Sequence, residues 1–148
     1  MAIAGLPKVR YGERPLPTQA VWFAFVCVDK GSARAEIFKI LIDKGIPFID
    51  VGMGPSISKQ GSIKGLLRTT YFPPGQAADI AAQGHAETKD APEGVYRTNI
   101  QLIELNALNA AIAVIRYKQL RSFYADDVRG NNLLFDIRDL KIASNGED

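Results

Sequence analysis

A helix-forming segment held between two apolar runs constrains this chain more than any other feature. Residues 20–54 read AVWFAFVCVDKGSARAEIFKILIDKGIPFIDVGMG. The first nine form an unbroken apolar run rich in β-branched and aromatic side chains, which predicts a strand buried on both faces, as in a parallel sheet. That strand stops at Asp29. After the loop Lys30, Gly31 and Ser32, the residues Ala33, Ile37, Ile40 and Leu41 recur at helical spacing, with Arg34, Glu36, Lys39 and Asp43 on the other side. Gly45 suits the left-handed position that closes a helix, and Pro47 forbids continuation. Residues 47–51 then predict a second strand, and a helix joining two parallel strands crosses over right-handed. The reading is one βαβ unit, closed by a glycine turn at Gly52 and Gly54.

In a sheet of this kind ligands sit beyond the carboxyl ends of the strands, and Asp29 lies at such an end, just before a helix N-terminus. The unpaired N–H groups there favour an anion such as a phosphate, and a carboxylate beside them can hold a metal ion on that phosphate. The local pattern taken alone favours a plainer role, in which Asp29 caps the helix or ends the strand.

Composition narrows the classes further. With 47% hydrophobic and 23% charged residues, the 148-residue chain has the make-up of a single globular domain able to bury one core. A formal charge of +2, from 18 basic and 16 acidic residues, demands neither nucleic acid nor a membrane surface as partner. One cysteine cannot form an internal disulfide, and one cysteine with one histidine cannot build a structural zinc site, so a reducing, cytoplasmic setting is expected. The N-terminus has no signal-peptide core, and the apolar stretch 107–115 is too short to span a bilayer.

VCVDKGSAR resembles a strand, loop and helix start of the ThiF and MoeB type adenylyltransferases, whose fold is shared with the adenylation domains of ubiquitin-activating enzymes. The family's strand ends in Asp and has Arg at the fifth position after it; these are Asp29 and Arg34 here. IPFIDVGMG is similar to the next strand and its glycine turn, SIKGLLRTTYF to the strand leading away, and NIQLIELNALNAAIAVIRYKQL to the long helix after the family's crossover loop. The resemblance spans residues 20–142. It implies an α/β fold with a three-layer Rossmann-like sheet, ATP and magnesium as cofactors, Asp29 as a metal ligand, and Asp29 with Arg34 as nucleotide contacts. No zinc is expected. The implied reaction is attack by the C-terminal carboxylate of a small ubiquitin-like or sulfur-carrier protein on the α-phosphate of ATP. Lys30 stands where several relatives have Asn. The family's GxGxxG turn, ribose-binding acid and basic phosphate ligands lie in an upstream βαβ unit, and none of these precedes Ala20. Residues 20–142 therefore read as the C-terminal half of such a domain, inactive alone, that pairs with a second copy or with a partner half-domain. The alternative is a non-catalytic interaction or dimerisation module derived from the same fold.

The remaining segments complete the expectation. Residues 1–19, rich in proline and charge, read as irregular. Residues 56–61 read as a hairpin turn and 62–72 as its second strand, with Lys59, Lys64 and Arg68 as solvated charges. Residues 73–94 read as a long crossover-type surface loop with at most two helical turns over 76–82. Cys27, inside an apolar run, reads as a small buried hydrophobe, which leaves no cysteine for a thioester step. His85, Glu87 and Asp90 read as solvated rather than as metal ligands. Residues 96–124 predict the longest helix, capped by Thr98 or Asn99 and buried all round between 105 and 115, with Arg116, Lys118 and Arg121 complementing its dipole. Asn106 and Asn109 would then need partners on a neighbouring element or across an interface, and Ala107, Ala110, Ala111 and Ala113 would permit close approach. After a turn at Asn131 and Asn132, residues 133–139 read as one half-exposed strand extended by Leu140 and Ile142, and 143–148 as a frayed tail.

Overall fold

The structure, a computed structural model, describes residues 21–90 and 102–145. Among these residues eight elements follow in order: β1 (Ala24–Val26), α1 (Gly31–Asp43), β2 (Phe48–Ile57), β3 (Ile63–Phe72), α2 (Ala77–Ala82), α3 (Ile103–Leu120), β4 (Asn132–Asp136) and β5 (Lys141–Ser144). The strands form one mixed sheet in sequence order, with β1 and β2 parallel and every later pair antiparallel. The architecture is mixed α/β. Residues 1–20, the caps expected at Thr98 and Asn99, and the last three residues of the tail lie outside the described residues.

The βαβ unit forms as the sequence predicts, and its helix stops for the expected reason. Gly45 adopts φ 63°, and its N–H donates to the Ile42 carbonyl while that of Ile46 donates to Leu41. This pair of bonds satisfies the last free carbonyls and reverses the chain into β2. The buried stripe of α1 is Arg34, Phe38 and Leu41, at i, i+4 and i+7. Ile40, placed on the apolar side by its spacing, is exposed.

Period-2 alternation sorts the strand side chains between two covered faces. Val26, Phe48 and Phe72 point toward α1 and α2 and pack with Phe38, Leu41, Ala77 and Ile80. Within this core Phe48 and Phe72 are register partners stacked at 4.4 Å, and Phe38 lies 4.9 Å from each. α2 supplies the helical turns expected over 76–82. On the opposite face Ile49, Leu67, Thr69 and Leu133 are buried beneath α3, which docks its C-terminal half through Tyr117, 4.7 Å from Phe23.

Four expectations are corrected here. β1 is not buried on both faces: among the described residues it pairs only with β2, its ladder stops at Val26, and Phe25 on the α3 side is 44% exposed. Cys27, just past the last paired residue, is exposed rather than buried. Gly52 and Gly54 make no turn. β2 runs straight through them, and the reversal comes at Ser58–Ser62, where Ser58 and Ser62 bond through backbone and side chain and Gly61 takes φ 83°. α3 is not buried all round: among its residues Asn109, Ala113 and Arg116 are buried and Tyr117 packs on Phe23, while Ile103, Val114 and Ile115 face outward. Asn106 is exposed, but Asn109 is buried and donates to the Gly52 carbonyl at 3.0 Å, the neighbouring-backbone partner that a buried amide requires.

The C-terminal strand also divides. Asp136 accepts hydrogen bonds from the backbone N–H and the guanidinium of Arg138, which holds its carboxyl down at about 2. Leu140 takes φ 57°, and the chain folds back as β5, so Ile142 belongs to a second strand rather than to an extension of β4. Asn145, in the stretch read as tail, accepts from the backbone N–H groups of Asn131 and Asn132 at 3.0 Å.

If the phenylalanine cluster anchors α1 and α2 to the sheet, Phe48→Ala should lower unfolding free energy by about 3–5 kcal/mol and Phe25→Ala by much less. Urea unfolding of both variants checks this, and equal losses would contradict the placement of the core.

Candidate functional site

The carboxyl end of β1 opens onto the start of α1, and there the two sequence-predicted residues part company. Asp29 sits in the bend between them with its side chain exposed. Arg34, one turn into α1, points inward: it is buried, with its side chain 8% exposed. Its Nε donates to Asp50 Oδ1 at 3.0 Å, its Nη1 to the Glu87 carbonyl at 2.8 Å and its Nη2 to the Val28 carbonyl. One guanidinium thus ties the end of β1, the middle of β2 and the segment after α2. The geometry does not pair Arg34 with Asp29.

Asp50 is the centre of this arrangement. It is inaccessible to solvent, and its second oxygen accepts from Nη2 of Arg68 on β3. Arg68 also donates through Nη1 to Thr70 Oγ1 at 2.7 Å, and the Thr70 hydroxyl in turn donates to Asn132 Oδ1 at 2.7 Å. Arg68, read from the sequence as a solvated strand charge, is therefore a structural partner whose side chain is only 12% exposed. Complete burial pushes the Asp50 carboxyl upward, and the two guanidinium groups pull against it, Arg68 before Arg34. Gly52 completes the fit. A Cβ there would stand 2.7 Å from the Arg68 Nη2, so a side chain at this position would push the guanidinium from its place.

The sequence carried a signal for this cluster. Asp50 interrupts IPFIDV, the most apolar part of β2, where a lone acid needs cations. Arg34 shares its helical stripe with Phe38 and Leu41, and Arg68 and Thr70 share a pleat face with Phe72. Assigning Arg34 to the polar side of α1 concealed the link.

The N-terminus of α1 is already occupied. Lys30, at its cap, makes no side-chain capping bond, and the backbone N–H of Ser32 donates instead to Asp90 Oδ1 at 3.0 Å. That bond holds the Asp90 carboxyl below its ordinary range. Gly31 packs so tightly under Lys89 that a Cβ would stand 2.3 Å from the Lys89 carbonyl oxygen. Residues 87–90 therefore lie across the helix start, and Asp90 fills the place predicted for an external anion. His85 bonds Gln83 at 3.0 Å, and no group of three His, Cys, Asp or Glu able to hold a metal ion occurs among the described residues. No helix among them is long and apolar enough to cross a membrane.

No protein-family model matches the chain, and no curated protein sequence matches it.

Removing the Asp50 charge should leave two buried guanidinium groups unpaired. Asp50→Asn is expected to cost about 3–5 kcal/mol of stability by denaturant unfolding. A loss below about 1 kcal/mol, the range of an exposed ion pair, would show that the cluster is solvated in solution.

Proposed function

We propose that residues 20–142 act as the C-terminal half of a ThiF-like adenylation domain, contributing to ATP-dependent adenylylation of the C-terminal carboxylate of a small protein partner. The observation that carries this reading is Asp29: an exposed carboxylate at the carboxyl end of a parallel strand, one short loop before a helix N-terminus. In that position it would hold magnesium on the nucleotide phosphates, lowering the charge that opposes attack on the α-phosphate. Arg34 contributes by fixing the loop and strand around Asp29, because each of its three nitrogens already has an acceptor within the chain. On this reading the sheet is part of a larger Rossmann-like one, whose glycine-rich unit comes from outside residues 20–142 and borders β1.

A second reading, a non-catalytic interaction or dimerisation module, is favoured by the Asp90 contact. With a carboxylate of its own on the Ser32 N–H, the α1 N-terminus has no need of a phosphate. The outward apolar residues of α3 would then serve a homodimer or a partner half-domain.

Amide chemical shifts followed during a titration with ATP, with and without magnesium, separate the two. Magnesium-dependent shifts at residues 29–32 that weaken in Asp29→Asn support the nucleotide site, since a helix cap tolerates Asn well and a metal ligand does not. Equal magnesium dependence in the variant, or unchanged spectra at millimolar nucleotide once the glycine-rich half-domain is supplied, would contradict it.

A further inference from the structure

The Asp50 cluster brings two guanidinium groups to one carboxylate, so among the described residues it carries an excess positive charge where charge is costly. Arg34 is spent on Asp50, Glu87 and Val28. Arg68 is not. Its two terminal nitrogens are pinned by Asp50 and Thr70, and its Nε has no acceptor among the described residues. Because Thr70 is itself held by Asn132, the guanidinium is fixed from both ends before any ligand arrives.

The Arg68 side chain keeps 12% of its surface exposed. Gly52, its register partner on β2, has no side chain, and the Cβ position lies 2.7 Å from Nη2 and 3.2 Å from Nε, so the guanidinium lies directly over the glycine. Gly54 is the next residue on the same pleat face, and a Cβ there would meet nothing within 4 Å. The nearest acid along β4 on that face, Asp136, is already engaged by Arg138. Lys64, four residues before Arg68 on β3, shares the face and adds positive charge.

We propose that Arg68, held by Asp50 and Thr70 above the Gly52 and Gly54 floor, forms a binding site for an oxyanion, a carboxylate or a phosphate group. The planar fork matches paired oxygens, and its partial burial strengthens the ion pair relative to a surface arginine. The inference is independent of the adenylyltransferase reading, because it uses neither Asp29 nor the α1 N-terminus.

The test is a titration of the full chain, labelled at the arginine side chains, with inorganic phosphate and separately with acetate, against sodium chloride at matched ionic strength. A saturable shift of the Arg68 Nε–H, with Arg34 unmoved, is expected from at least one anion, and the anion that produces it assigns the ligand class. Gly52→Ala should displace the guanidinium and weaken binding about tenfold, the scale of one charge-assisted hydrogen bond. Gly54→Ala, whose methyl enters open space, should stay folded and also weaken binding. No saturable shift in the wild-type chain, a shift that sodium chloride reproduces, or affinity unchanged in the folded glycine variants would overturn the proposal.

Discussion

A carboxylate with no solvent contact, held between two arginines from different elements, is the interaction on which the site end of this fold depends. Asp50 in mid-strand would be untenable alone, since an uncompensated buried charge costs several kcal/mol. Arg34 reaches it from the helix and Arg68 from the adjacent strand, so satisfying one acid fixes α1 against β2 and sets β3 beside both. The same Arg34 binds the Val28 and Glu87 carbonyls, which carries the constraint to the end of β1 and to the segment over α1. The phenylalanine cluster gives the core its apolar energy. The ion cluster gives it a direction, because its hydrogen bonds are satisfied in only one relative placement of these elements.

The βαβ unit was legible because its signals were local. Helical spacing, the Gly45 stop and the apolar strand after Pro47 each act over a few residues, and the structure keeps all three. What escaped was set by neighbours distant in sequence. The apolar run before Asp29 looks like a central strand, yet among the described residues it pairs on one side only. Gly52 and Gly54 look like a turn, but β2 runs through both and a guanidinium from β3 lies over Gly52. The apolar circumference of α3 looks buried, whereas the sheet covers only one stripe. The break after β4 arises from the Asp136 and Arg138 pair and from the left-handed Leu140.

The two charged ends of the unit behave differently. At the α1 start the chain supplies its own anion, Asp90, where a helix N-terminus would otherwise attract a phosphate. A nucleotide phosphate at that position would have to displace residues 87–90, which Arg34 and Gly31 hold in place. In the Asp50 cluster the balance is reversed, with more cation than anion among the described residues. Asp29 lies outside both networks and is exposed, which is why the catalytic proposal rests on it.

The central claim is that the buried Arg34 and Asp50 pair couples α1 to β2. A double-mutant cycle on unfolding free energy with Arg34→Gln and Asp50→Asn tests it most directly. The two residues should be coupled by about 2 kcal/mol or more, because the first substitution already removes much of what the second can lose. Additivity within about 0.5 kcal/mol would contradict the account.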